Sequence, residues 1–486
     1  MNDATKYRLR KRFDQMLDSA DSPLVTLADL ESLALTLREQ IAQATLDEAA
    51  QELREESSAP KEDPAPLRPE TGSAVVPSSS PSPSSSKIVC PQCRGNAWNK
   101  GKRSRRFVTL AGSVSFSRLY FHCRRCARGF CPHDERLDVH QNTDFTPRLT
   151  HEVACLSACL PFEQAVQALA RLTNVSVSPR SAERLCVGVV GPEAEAYRAE
   201  RDARSLPLVL ATPSALPEGL PRPDVLYVEA DGIQTPMKGG TWKEMKIGVV
   251  RATHRDGREA APSRYVNLLG TAHDFGPQLE SLAIDSGSLT AKKVVVVGDG
   301  AAWLWKMAAT HFPTATHILD FWHALEYVGA VAREAFVQDG GVEQQTGQTG
   351  QTGQTGRAWL AARAAEMKQS AWSRFFAALE AVRAKSDLSE KANDAVTAVV
   401  RYFGNHRSRM DYARYLREGL SIGSGLAESA CKRMVTQRLK GSGMHWGEVG
   451  AQAVCALRCL LFSGEWDKFR NHENRTFKNA CHSPLA

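Results

Sequence analysis

The sequence predicts an α/β chain, its sheet preceded by a small Cys-rich module and a helical segment, on three observations. Residues 222–335 alternate strand-like with helix-like runs. Two of the strand-like runs end in Asp-Gly, at Asp231-Gly232 and Asp299-Gly300. Cys90-Pro-Gln-Cys93 and Cys123-Arg-Arg-Cys126 form two C-x2-C pairs. At 486 residues the chain is too long for one hydrophobic core, so several domains are expected.

Bulk properties narrow the classes. No run of 18 apolar residues exists and MNDATKYRLRKRF lacks a secretory signal's apolar stretch, so a cytoplasmic protein that does not enter a membrane is expected. Twelve cysteines in that compartment read as thiols or metal ligands rather than disulfides. The formal net charge of +7 is only mildly basic. Its distribution says more: Arg94 to Arg128 holds many Arg and Lys residues and no Asp or Glu, whereas the first 70 residues are rich in acids.

Taken in order, residues 1–55 hold an amphipathic helix over Leu27–Leu53, with Leu30, Leu33, Leu37 and Ile41 at helical spacing. Its partner is either a second copy of the chain or another segment of the same one. Residues 56–87 carry too much Ser and Pro to form a core and are read as a disordered linker.

In residues 88–135 the four thiolates of Cys90, Cys93, Cys123 and Cys126 suit a tetrahedral structural Zn2+ site, and the strand-like FVTLAGSVSFSRLYFH between the pairs makes a zinc ribbon of the module. Free thiols or a redox pair are the alternative. Arg103, Arg105 and Arg106, with Arg124 and Arg125, make it a candidate phosphate-contacting surface, or a solvated basic face.

Residues 145–205 read as short helices. Phe162–Leu172 is amphipathic, and Ser178-Pro179 looks like a helix start with Ser178 as N-cap. The pair resembles a helix-turn-helix whose second helix would offer Arg180 and Arg184 to the major groove of double-stranded DNA.

In residues 222–335, Asp224–Asp231, Glu244–Thr253 and Arg264–Gly270 read as antiparallel-like strands. Phe275–Ala283 reads as a helix, Lys292–Asp299 as a buried strand, Trp303–Phe312 as a helix and Ala315–Asp320 as a last strand. That is the ribonuclease H-like order. Aspartates ending adjacent strands of such a sheet face one another where ligands bind. A divalent cation between them relieves their repulsion, and hard oxygen ligands favour Mg2+ or Mn2+. Two ions roughly 3.5 to 4 Å apart can drive in-line phosphoryl displacement.

Residues 357–470 are mainly helical, and Gly423-Ser-Gly425 opens a helix carrying a third carboxylate, Glu428. Lys432, Arg433, Arg438 and Lys440 give that helix an acid-free surface suited to a DNA backbone. Singly, each Asp-Gly is first a turn signal and Glu428 a helix-dipole charge; their joint placement carries the reading.

VEADG (Asp231), WKEMKIGVV (242–250), VVGDGAAWLW (Asp299), FPTATHILDFWHALEYV (Asp320, His323), GSGLAESACK (Glu428) and QRLKGSGMHW (437–446), in this order, resemble the ISKra-type insertion-sequence transposases, relatives of the Mutator-like group, over roughly residues 88–470. The resemblance implies a ribonuclease H-like catalytic domain with an Asp-Asp-Glu site at Asp231, Asp299 and Glu428. It also implies a helical insertion, here residues 336–418 with the QTG repeat, before a closing segment 419–470. Asp320 and His323 stand where Mutator-like relatives carry a Cys/Asp-x2-His pair. They are expected to support the carboxylates or to touch DNA, with a plain hydrogen-bonded pair as the alternative.

Trp446 would either stack on an unpaired base or lie in the core. The QTG tract at residues 345–356 has no apolar residue to bury and is expected to be a solvated loop. The expected activity is a bacterial transposase that binds its element's terminal repeats as a homo-oligomer, cuts and joins DNA with two Mg2+ or Mn2+ ions, and works at the nucleoid. A structure-selective nuclease on the same fold and an inactive zinc-containing DNA-binding regulator are the rival readings.

Overall fold

A computed structural model of the chain describes residues 1–18, 27–56, 87–132, 134, 143–336, 354–386 and 388–472. The expected linker falls almost wholly outside these residues. The chain divides into two compact units, Met1–Cys186 with the C-terminal stretch from Asn471, and Val187–Arg470.

In the first unit, helices α1 (Asp3–Asp18) and α2 (Leu27–Glu56) pair with each other, so the partner expected for the amphipathic helix is intramolecular. Arg8 Nε donates to Glu48 Oε2 at 2.6 Å. The backbone N–H of Asn2 donates to Glu52 at 2.8 Å, so the two helices run in opposite directions.

Four antiparallel strands follow in the order β1-β2-β3-β4: Lys87–Val89, Asn96–Thr109, Gly112–Cys123 and Gly129–Phe130. Strand alternation points Phe107 and Val114 to one face, where they bury against Leu46 and Ala50 of α2. The hairpin turns over two residues, and Gly112, at φ +124°, takes a conformation that L side chains rarely adopt.

Three helices complete the unit: α3 (Pro147–Cys159), α4 (Phe162–Thr173) and α5 (Pro179–Leu185). Asn174, left-handed at φ 57°, ends α4, and Ser178 Oγ caps α5 by accepting from Ser181 N at 3.1 Å. Leu149, Val153, Ala165, Leu169, Ala182 and Leu185 are buried. The expected pair of helices is present, within a group of three.

The second unit opens with α6 (Gly191–Ser205), which corrects the single domain expected over 145–205. The buried Arg198 of α6 donates to Asn267 Oδ1 at 3.0 Å, to Asn267 O at 2.6 Å and to Gln278 Oε1 at 2.8 Å. Periodicity sees a helix here but not the buried guanidinium that commits it to the sheet.

The unit's five-stranded sheet runs β7-β6-β5-β8-β9, with β5 Val225–Pro236, β6 Trp242–Thr253, β7 Arg264–Leu268, β8 Lys293–Gly298 and β9 Thr316–Leu319. The first three are antiparallel neighbours, while β8 and β9 run parallel to β5 and β8 respectively. Helices α7 (Ala272–Asp285) and α8 (Ala302–His311) link β7 to β8 and β8 to β9.

On one face of the sheet, Gly248, paired with Ala230, lies under Leu279 and Phe275 of α7; a Cβ there would meet Leu279 at 2.7 Å. The other face of β5 meets the segment around residues 421–431. Covering both faces explains why Val294–Val297 is an unbroken apolar run.

Beyond β9 the chain is helical: α9 (Phe321–Ala335), α10 (Gln354–Lys368), α11 (Trp372–Arg383), α12 (Glu390–His406) and α13 (Tyr412–Arg417). Their buried Val328, Met367, Phe375, Leu379, Val396 and Phe403 share one core cluster with the sheet. Most of the QTG tract lies outside the described residues; its last three, 354–356, belong to α10 rather than to a loop. The chain then forms α14 (Gly425–Cys431), a wider π turn (Lys432–Thr436), α15 (Gln437–Leu439) and α16 (Glu448–Phe462).

Candidate active site and metal centre

The four cysteines of the first unit converge. The Sγ atoms of Cys90, Cys93, Cys123 and Cys126 all lie within 4.8 Å of one another, a set able to hold a metal such as zinc. Two matching turns place them. In each, the residue after the second cysteine, Arg94 or Ala127, takes φ 55°. The first cysteine's N–H donates to the carbonyl five residues on, Cys90 to Gly95 and Cys123 to Arg128, both at 2.8 Å. Ile88, Leu119, Phe121 and Phe130 wrap the thiols in apolar side chains. Cys131 lies outside this set.

Around this centre Arg103, Arg106, Arg124 and Arg125 are exposed, Arg103 lying 3.5 Å from the Tyr120 ring. Arg105 differs from expectation: its guanidinium is taken up by Asp144 at 2.7 Å and the Thr143 carbonyl at 2.6 Å, so it braces the hairpin against the following loop. On α5, Arg180 and Arg184 are both exposed, four residues apart and thus on one helical face.

In the second unit, Asp231 and Asp299 become neighbours through strand register. Glu229 pairs with Val297 across the parallel β5-β8 ladder, and each aspartate lies two residues further along its chain. Asp299 follows the last residue of β8, as the sequence reading expected. Asp231 does not end its strand: β5 continues to Pro236 because β6 remains paired with it, and only the β8 partner stops. The carboxylate therefore sits where the sheet opens.

Burial raises the Asp231 carboxyl above its ordinary value, and the nearby Asp299 charge adds to the rise, against the Gly232 N–H that holds it. That N–H donates to Asp231 Oδ1 at 2.6 Å. Ala301 N donates to Asp299 Oδ1 at 3.0 Å, and the Tyr402 hydroxyl of α12 donates to the Asp299 carbonyl. Gly300 next to it, at φ +97°, would bring a Cβ to 2.5 Å from that hydroxyl, so no larger residue fits beneath Tyr402.

Glu428 lies on α14, whose buried Ala427 and Cys431 face the sheet. The Cys431 thiol lies beside the Asp231 carboxylate, so the third acid is one helical turn from a direct contact with the first. Its own carboxylate is 71% exposed and meets Lys432 Nζ at 3.0 Å. The three carboxylates thus share one end of the sheet, but their ligand atoms are not gathered to the 4.8 Å spacing of the cysteines.

Asp320 caps α9, accepting from Trp322 N at 2.6 Å and His323 N at 3.2 Å, and its other oxygen accepts from Ser424 N at 2.7 Å and from the Ser424 hydroxyl. It joins the end of β9 to the loop before α14. His323 makes no pair with the Asp320 carboxylate beyond that backbone cap; its ring faces Tyr327 and Tyr402, and Nδ1 lies 3.4 Å from Glu326.

Of the residues offered for DNA contact, Trp446 takes its core alternative and Arg438 is corrected. Trp446 is 8% exposed and its indole N–H donates to Leu439 O at 3.0 Å, so the ring is core and offers no face to a base. Arg438, 2% exposed, lies over that ring and not on a surface. Lys432 is exposed and Lys440 half-buried, with its ammonium 6.0 Å from the Trp242 ring. Trp322, 59% exposed, lies next to Gly423 in the loop before α14.

Sequence reasoning passed over Glu229, which is 1% exposed inside the sheet. Its Oε2 accepts from Ala427 N at 3.0 Å, while Oε1 has no hydrogen-bond partner among the described residues. Burial pushes its carboxyl up to about 7, against the pull of the Ala427 N–H. The available signal was an acid in an otherwise apolar strand, two residues before Asp231 and so on the same face. Glu244 was also missed. Its carboxylate closes over Gly232 and pairs with the buried Lys246 at 2.5 Å.

The profile of an uncharacterised protein family, UPF0236, matches residues 97–336. The matched stretch runs from the hairpin to the end of α9; it includes Asp231 and Asp299 and stops before Glu428. No curated protein matches the chain. Among the described residues no helix is long and apolar enough to cross a membrane.

Proposed function

We propose that this chain is a DNA transposase of the insertion-sequence type, its second unit a ribonuclease H-like catalytic domain interrupted by helices before the final acid. The observation that carries the reading is the placement of Asp231 and Asp299 side by side past the Glu229-Val297 pair, on two parallel strands at the open end of the sheet. Three antiparallel strands followed by two parallel ones support the fold assignment.

The donor set fits hard divalent ions. Two adjacent carboxylates, one raised by burial and further by the other's charge, form an oxygen-rich site with a repulsion that Mg2+ or Mn2+ would relieve. Asp231, Asp299 and Glu428 would hold the ions, Glu428 by exchanging Lys432 for metal. When bound, they would supply Lewis-acid activation of a water or 3′-hydroxyl and charge stabilisation at the leaving oxygen. Zinc at the four cysteines would brace the basic hairpin, and Arg103, Arg106, Arg180 and Arg184 would neutralise phosphates of the terminal repeats. Asp320 orients the loop before α14 and the Tyr402 hydroxyl fixes the Asp299 backbone.

The test is strand transfer by purified protein on a duplex carrying the element's ends, with Mg2+. Cleavage and joining, both lost in Asp231→Asn, are expected. Cleavage without joining selects the nuclease, and metal-independent binding without cleavage selects the regulator.

A further inference from the structure

Alternate residues of β5 share one face, and three of them hold the segment that delivers Glu428. Tyr227 Oη accepts from Ser421 N at 3.0 Å, Glu229 Oε2 accepts from Ala427 N at 3.0 Å, and Asp231 meets the Cys431 thiol. The rungs advance in the same direction along strand and segment. From the side, Asp320 grips Ser424 through both its N–H and its hydroxyl, and Phe321 N donates to Ile422 O at 2.8 Å. Residues 421–431 are thus held at five points, and Glu428 lies between the second and third rungs.

We infer that Glu229 is a positioning residue for Glu428: acting with Asp320, it fixes the height and rotation of α14 over the Asp231-Asp299 pair. A carboxylate inside the sheet is an expensive choice for a role that packing alone could fill. What it adds is direction, because its Oε2 accepts the backbone N–H of Ala427, the residue before Glu428. Displacing a reacting group by about 1 Å can cost roughly 10²-fold in rate. The inference rests on the transposase reading for the role of Glu428, but not for the contact itself.

The experiment combines amide hydrogen exchange with kinetics on the full chain and its Glu229→Gln, Glu229→Asp and Glu229→Ala variants. Glu229→Gln keeps an oxygen acceptor and should retain wild-type protection over 425–431 and most of the activity. Glu229→Asp keeps the charge but is one methylene short; like Glu229→Ala, it should expose those amides and lower kcat by about 10²-fold with DNA affinity unchanged. Should Glu229→Ala fail to fold, Glu229→Asp decides alone.

Wild-type protection of 425–431 in Glu229→Asp overturns the inference, as does a loosened helix with unchanged kcat. A wild type that neither cuts nor joins DNA overturns the functional reading and with it the role assigned to Glu428. Mn2+ affinity at the carboxylates then decides, since a positioning role requires it to fall in Glu229→Asp and not in Glu229→Gln.

Discussion

Arg198 offers a stringent test of how the second unit is built, because its buried guanidinium ties a helix that the sequence groups with residues 145–185 to a strand of the sheet. Its guanidinium serves Asn267 twice, at 3.0 and 2.6 Å, and Gln278 at 2.8 Å, with Glu195 at 3.4 Å. Gln452 of α16 extends the network, donating to Glu195 at 3.0 Å and accepting from Leu269 N at 2.8 Å. Arg198→Ala removes three well-formed charge-assisted hydrogen bonds and strands their acceptors. Leaving a buried acceptor without its donor costs about 1–3 kcal/mol, so stranding several at once comes to roughly 3–5 kcal/mol. At roughly 2 °C per kcal/mol for a unit of this size, the calorimetric midpoint should fall by about 6–10 °C. Arg204→Ala is the control from the same helix: that residue is exposed, touches Asp285 at 3.2 Å, and its loss should cost under about 0.5 kcal/mol. A midpoint for Arg198→Ala within 1 °C or so of wild type, or equal to that of Arg204→Ala, would refute the buried network as the fastening of α6.

Three further outcomes are expected. The purified chain should carry one tightly bound zinc ion, and Cys123→Ser should lose both the metal and protection of the hairpin amides; full metal content in that variant contradicts the four-thiolate site. Burial alone would raise the Asp285 carboxyl, but Arg264, Arg204 and Arg201 outweigh it and hold it below 3.8, with Arg264 at 2.9 Å. A depressed carboxyl contributes fully above its unfolded value and loses that contribution as pH falls through the folded one. Asp285→Asn should therefore lower the midpoint at pH 7, and the gap to wild type should close as the pH falls through the lowered folded value, an equal gap at neutral and acid pH being the contrary result. Replacing Arg180 and Arg184 together by Ala should weaken binding of a terminal-repeat duplex and lower the salt slope of log K by about 1 to 2; an unchanged slope removes α5 from the DNA contact.

What could be read from the sequence was what short-range pattern encodes. Unbroken Val294–Val297 had to be a doubly covered strand, Ser178-Pro179 had to start a helix, and two C-x2-C turns had to present four thiols to one point. Long-range commitments were illegible. Periodicity shows that α6 is a helix, but not that Arg198 reaches the carbonyl of Asn267. A Gly-Ser-Gly-Met-His-Trp stretch looks like an exposed loop until Trp446 N and O are found tied to the backbone of Pro236 and Lys238. Asp231-Gly232 looked like a strand end because Asp-Gly favours turns; pairing with β6 overrides that preference. The role of Glu229 depends on a helix nearly 200 residues later, joined by a hydrogen bond spanning 198 positions, and no local pattern could supply it.

The most direct test of the central claim is anomalous scattering from crystals of the chain bound to end DNA and soaked in Mn2+. Two manganese peaks roughly 3.5 to 4 Å apart, ligated by Asp231 and Asp299 with Glu428 swung away from Lys432, are the expected result. Saturating Mn2+ with no peak at the Asp231-Asp299 pair, or with Glu428 still paired to Lys432, would contradict it.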